Sequence, residues 1–160
     1  MSLEGTMYFW KIESLKEDII QGNLTEKNKF YYALIYIAIS VISFELIAYT
    51  PVENPNTWDT INSVGNILIA ILGTVVVFKC NGGSSGNDFL GKYFSIGFVV
   101  SIRSIPILLL MLIALIFYYE ITFTQNPELA STPADIFPFL LWYILVFWRI
   151  CRHVSAIKNS

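Results

Sequence analysis

Along most of this chain the apolar positions do not alternate with polar ones; they run on without interruption. The longest run, Tyr93 to Tyr119, reads YFSIGFVVSIRSIPILLLMLIALIFYY, with one arginine, Arg103, and one proline, Pro106, inside it. A run of this length is a membrane span rather than a helix buried in a water-soluble domain. As one straight helix it would reach about 40 Å, against a hydrocarbon layer of roughly 30 Å. It is therefore expected to tilt, to bend, or to begin along the interface. Three more spans are expected, from about Phe30 to Tyr49, Thr60 to Phe78 and Ile136 to Ile150. The expected fold is an all-α membrane protein, a four-transmembrane-helix bundle with an N-terminal amphipathic interfacial helix. Residues 1–29 form the N-terminal segment, 30–151 the transmembrane domain and 152–160 a short tail.

The pattern changes only near the start. Tyr8, Ile12, Leu15 and Ile19 recur at helical spacing, with Lys11, Ser14, Lys16, Glu17, Asp18 and Gln21 between them. That is one apolar face on a polar helix, ended by Gly22-Asn23. It fits a membrane-surface helix, a partner-docking helix or a lid on its own bundle. Thr25 is an expected N-cap for the next helix. Met1 to Thr6 precede a second methionine, Met7, and read as an added leader. No cleavable signal sequence is expected, because the first 29 residues hold no apolar stretch.

Composition supports this picture, with 55% hydrophobic residues and a mean hydropathy of +0.60. The net charge of −2 says little; its distribution says more. Nine of the ten Lys and Arg residues (Lys11, Lys16, Lys27, Lys29, Lys79, Lys92, Arg149, Arg152 and Lys158) lie in the N-terminal segment, the middle loop or the C-terminal end. The other two loops carry only Glu53, Asp59, Glu120, Glu128 and Asp135. Cytoplasmic loops concentrate Lys and Arg, so both termini are expected in the cytoplasm. The sequon at Asn23 then lies on the wrong side for glycosylation. Cys80 and Cys151 fall at the same membrane face; no motif pairs them, and they read as ordinary thiols. The glycine-rich stretch Lys79 to Asp88 reads as a flexible connector, since the strand–loop–helix setting of a phosphate loop is lacking. A faint echo links the two outer loops: each follows an aromatic-rich helix exit with Asn-Pro (Asn54-Pro55, Asn126-Pro127) and ends on an aspartate, Asp59 or Asp135. It reads as convergent turn chemistry.

Within the spans a few polar residues stand out. Asn62, Asn66, Ala70 and Thr74 step by four along the third expected helix, with Gly65 and Gly73 beside them. Such a stripe lines a polar pathway or a tight helix–helix contact, and packing is the reading adopted; this helix is expected to be the most buried. Ser40 and Ser43 make a milder polar face. Glu45 sits about three quarters of the way along the first span, near its outer end; its carboxylate fits cation or proton handling, or a water-accessible crevice at the outer interface. Arg103 is the strongest single signal. Pro106 frees the Ile102 carbonyl, so a bend is expected between Gly97 and Pro106, with residues 88–100 along the inner interface. Arg103 would then reach the inner headgroups, with Asp88, backbone carbonyls or lipid phosphate as partners.

No His/Cys/carboxylate set has metal spacing, no serine is paired with a histidine, and no phosphate-loop lysine is present. The chain is therefore expected not to be an enzyme and to need no cofactor. Its expected partners are the lipid bilayer and either a second copy or another membrane protein, not nucleic acid. The function expected is a non-catalytic protein of the cytoplasmic membrane acting through helix packing. The alternative is a subunit of an oligomeric transporter or channel for a small solute or cation.

Overall fold

A computed structural model describes residues 7–48, 55–122 and 131–158. The described residues form α1 (Ile12–Ile20), α2 (Glu26–Ala48), α3 (Thr57–Cys80), a 3-10 turn at Gly83–Ser85, α4 (Phe89–Thr122) and α5 (Pro133–Ala156). The leader, the turn at Pro51 and Asn54, and the second outer loop with Asn126-Pro127 and Glu128 lie outside the described residues.

Three helices among the described residues, α3, α4 and α5, are long and apolar enough to cross a membrane, not the four expected. At 23 residues α2 has the length, but it opens on Glu26, Lys27, Asn28 and Lys29, so its apolar stretch begins only at Phe30. Nor, among the described residues, do the helices close into a bundle. Packing runs in series: α2 against α4, α4 against α5, α5 against α3, with α1 laid against α4. Among the described residues α2 and α3 do not pack together along their lengths, although they follow one another in sequence.

The helix ends follow local chemistry. Asn56 caps α3: its side chain accepts from the Trp58 and Asp59 amides, while its own amide donates to the Asp59 carboxylate. The same exchange recurs before α5, where Thr132 donates its amide and hydroxyl to Asp135. The two aspartates of the sequence echo are thus both helix-capping residues, which is local turn chemistry. Thr25 accepts from the Asn28 amide at the start of α2, as expected of an N-cap. Gly22 ends the N-terminal segment with a φ of +69°, open to glycine at no steric cost.

The core lies at the end of the molecule where the basic residues gather. Ile96, Phe98, Val99 and Val100 of α4 meet Val146, Phe147, Ile150 and Val154 of α5, Tyr32 of α2, and Ile12 and Leu15 of α1. The apolar face read between Ile12 and Ile19 therefore serves as a lid on the protein's own core. The second expected span is not the most buried: only Val77 of α3 is buried, against five residues of α5. Beyond Pro106 the apolar side chains of α4 are mostly exposed, Leu110, Ile116 and Phe117 among them. Across Gly97 and Pro106 α4 continues as a single helix of 34 residues. Residues 95–100 lie at the heart of the core.

The cysteine reading is corrected. Cys80 and Cys151 form a disulfide, with their Cα atoms 5.7 Å apart. The physical reason is register: α3 and α5 run side by side in the same direction, so their C-terminal ends arrive together. The glycine-rich connector is likewise ordered rather than loose. Gly82 and Gly83 adopt φ values of +103° and +60°, the Asn81 amide donates to the Asn87 carbonyl, and a side chain at Gly86 would collide with the Asn81 carbonyl.

Candidate functional site

The polar residues read from the sequence divide into three groups. The first is the α3 stripe. Its glycines face α5, Gly65 against Leu140 and Gly73 against Phe147. This is the close approach that small residues permit. Thr74 turns to α4, where its hydroxyl and that of Tyr93 lie 3.2 Å apart. Further along the same stripe the Asn66 amide donates to Asn62 at 2.9 Å, and Asn66 is exposed. The stripe is therefore in contact at one end and uncovered at the other.

The second group is occupied within its own helix. Ser40 donates to the Tyr36 carbonyl at 2.9 Å and Ser43 to the Ile39 carbonyl at 2.8 Å. Hydroxyls bonded back one turn satisfy themselves and offer little to a passing solute. Glu45 is exposed near the outer end of α2. At that same end of the molecule the Asn56 amide donates to the Ser131 carbonyl, the Ser131 hydroxyl to Asp59, and the Tyr119 hydroxyl to Asp135. These bonds tie the starts of α3 and α5 and the end of α4 into one polar clasp.

The third group lies at the basic end, and of its members sequence reasoning singled out Arg103 and Asp88. Asp88, a suggested partner of Arg103, pairs instead with Lys29 at 2.7 Å. Lys92, almost fully buried, donates to Asn87 at 2.8 Å and to the Ile157 carbonyl at 3.2 Å, so it closes the C-terminal end of α5. Arg103 is half-buried on α4 and acts electrostatically on Glu13 of α1 and His153 of α5. Between α1 and α5 a cleft of about 350 Å³ is lined by Glu13, Lys16, Trp148, Arg149, Arg152 and His153. The Lys16 ammonium, 2.7 Å away, holds the Glu13 carboxyl below the usual carboxylate range, with His153 and Arg103 adding to the effect. The Arg152 guanidinium lies over the Trp148 ring, 5.1 Å from its centre.

Gly97 and Pro106 bracket this third group without contributing a polar atom to it. Neither Asn62, Asn66, Ser40, Ser43 nor Glu45 joins Arg103. Arg149 and Arg152 were legible as basic residues of a helix end, but the cleft depends on α1 settling on α4 beside α5, and the apolar face of α1 does not say which helix it meets. Among the described residues no group of His, Cys, Asp or Glu could hold a metal ion. Compared with known families, curated proteins and solved structures, the chain matches none.

Proposed function

We propose that the chain is a small, non-catalytic protein of the cytoplasmic membrane, crossing it four times with both termini inside, and that it works by packing against a second copy or a membrane partner. The three apolar helices make it compatible with a small membrane protein. Counting α2 from Phe30 as the fourth crossing returns the chain to its starting side. The gathering of nine basic residues at one end supports the orientation.

The observation that carries the packing reading is the uncovered end of the α3 stripe. An amide facing lipid costs free energy that a partner helix can remove. Asn62 and Asn66 satisfy one another only in part, since one bond leaves further amide donors and acceptors open. Among the described residues α2 does not close on α3, which leaves room beside them. No observation favours a transport pathway: Ser40 and Ser43 are spent on their own helix, and Glu45 and Arg103 belong to opposite ends of the molecule.

The test is the assembled mass in lipid nanodiscs and in mild detergent, measured by light scattering. A dimer or larger is expected, falling to a smaller species in Asn62→Leu/Asn66→Leu. A monomer under both conditions would reject self-packing, and an unchanged assembly in the double variant would reject the stripe as its surface.

A further inference from the structure

We propose that the cleft between α1 and the inner end of α5 binds the phosphate headgroup of an anionic phospholipid, with the acyl chains lying along α5. Four permanent cations, Lys16, Arg103, Arg149 and Arg152, surround or border it, against one carboxylate, Glu13. That carboxylate is already taken by Lys16. Among the described residues none of the three arginines has a carboxylate within ion-pair distance. Like charges held this close repel one another, and Arg103 is half-buried, where the repulsion is less screened. A bound anion relieves that repulsion, and the planar guanidinium fork suits the paired oxygens of a phosphate.

The neighbouring surface chooses a lipid over a free phosphate. Leu141, Leu145, Trp148 and Arg152 recur at helical spacing on one face of α5, and all four are exposed. The face is apolar on the outer side of Trp148 and cationic on the inner side. Trp148 marks the headgroup layer that tryptophan favours, and Arg152 stacked on it keeps the guanidinium at that depth. A ligand that fills the cleft and follows this face is an amphiphile with an anionic head. The arrangement goes beyond helix packing and does not depend on it: the cleft belongs to one chain, on the far side of the core from the α3 stripe's partner-free end.

The experiment is lipid retention by the full chain, read by native mass spectrometry after exchange from nanodiscs containing phosphatidylglycerol and phosphatidylcholine in equal amounts. The wild type is expected to keep phosphatidylglycerol with a preference on the order of tenfold, the scale one or two basic side chains give at a charged surface. Arg149→Gln/Arg152→Gln should reduce the preference to near unity. Lys27→Gln/Lys79→Gln, which removes the same charge away from the cleft, should keep it. If the arginine double variant fails to fold, judged by its helical circular dichroism, Arg103→Gln read the same way takes its place. An equal preference in wild type and the cleft variants would overturn the site. Thermal stabilisation by inorganic phosphate without any lipid preference would overturn the lipid and assign the cleft to a soluble phosphate compound.

Discussion

Gly73 lies directly beneath the ring of Phe147: a Cβ placed on it would sit 2.5 Å from the ring's Cγ. No rotation of one bond relieves this, because Phe147 is itself buried among core side chains. Gly65 differs, since its nearest neighbour is the flexible end of Leu140 at 3.0 Å. Gly73→Ala should therefore lower stability by about 1–3 kcal/mol, as overpacking of a filled core does, and Gly65→Ala by less than about 1.5 kcal/mol. Thermal unfolding in one detergent, monitored by circular dichroism, orders the two. Equal melting temperatures would mean that α3 can slide off α5 at no cost.

The glycines show what the sequence could and could not convey. Their spacing announced a close helix contact, and the contact exists; it did not say which helix would fill it. Consecutive helices are the natural first guess, yet α3 packs on α5 and not on α2. The same missing information hid the Cys80–Cys151 bond, which depends wholly on α3 and α5 being parallel neighbours. It also hid the cleft around Arg149 and Arg152, which depends on α1 settling on α4 beside α5. The apolar runs, the caps at Thr25 and the punctuation at Gly22 were legible because each is decided by a few adjacent residues. The Asn62–Asn66 stripe was legible as a pattern, but whether anything covers it is decided by the arrangement of helices.

Lys92 ties the connector to the end of the chain. The residue is 3% exposed, and its ammonium reaches both Asn87 and the Ile157 carbonyl. Lys92→Met fills similar space without a donor, so both bonds are lost, at a cost of about 1–3 kcal/mol. Hydrogen exchange should quicken first in residues 154–157, ahead of the core of α5. Unchanged protection there would show that the two bonds contribute nothing to closing the helix.

The N-terminal lid is fastened by one tyrosine hydroxyl. Tyr32 accepts from the Tyr8 amide at 2.6 Å and donates to the Tyr8 carbonyl at 3.1 Å. Tyr32→Phe removes both bonds, so cleavage by trypsin after Lys11 and Lys16 should accelerate several-fold while the rest of the chain stays intact. Alkali should loosen the same lid. Tyr8 donates to Asp18, and that carboxylate, with partial burial, raises the phenol's pKa above 10.0. The folded value exceeds the unfolded one, so the contribution is complete below pH 10 and lost as pH rises through the folded value. Cleavage rates that stay flat from neutral pH into that alkaline range would place the lid's hold elsewhere.

Charge and sulfur make opposing statements about which way the protein faces. In the proposed orientation the basic ends of α3 and α5 face the cytoplasm. The disulfide stands at those same ends, and such bonds persist in oxidising compartments while cytosolic thiols are kept reduced. The charge argument is the stronger, because nine cations lie on one side and the loops of the other hold none. The pair should then exist as thiols in the cell and as the disulfide in protein purified in air. The bond spans 71 residues of sequence, which caps its entropic value at about 4 kcal/mol, so reduction should lower the melting temperature without unfolding the helices. In a Cys80→Ser/Cys151→Ser background, Thr57→Cys should react with an impermeant thiol reagent from outside intact cells and Ser84→Cys only after lysis. In the unaltered chain, alkylation of Cys80 and Cys151 before lysis with a permeant reagent should succeed. If Ser84→Cys labels from outside and the native pair resists alkylation, the sulfur argument wins: the basic end faces the oxidising side and the topology is inverted.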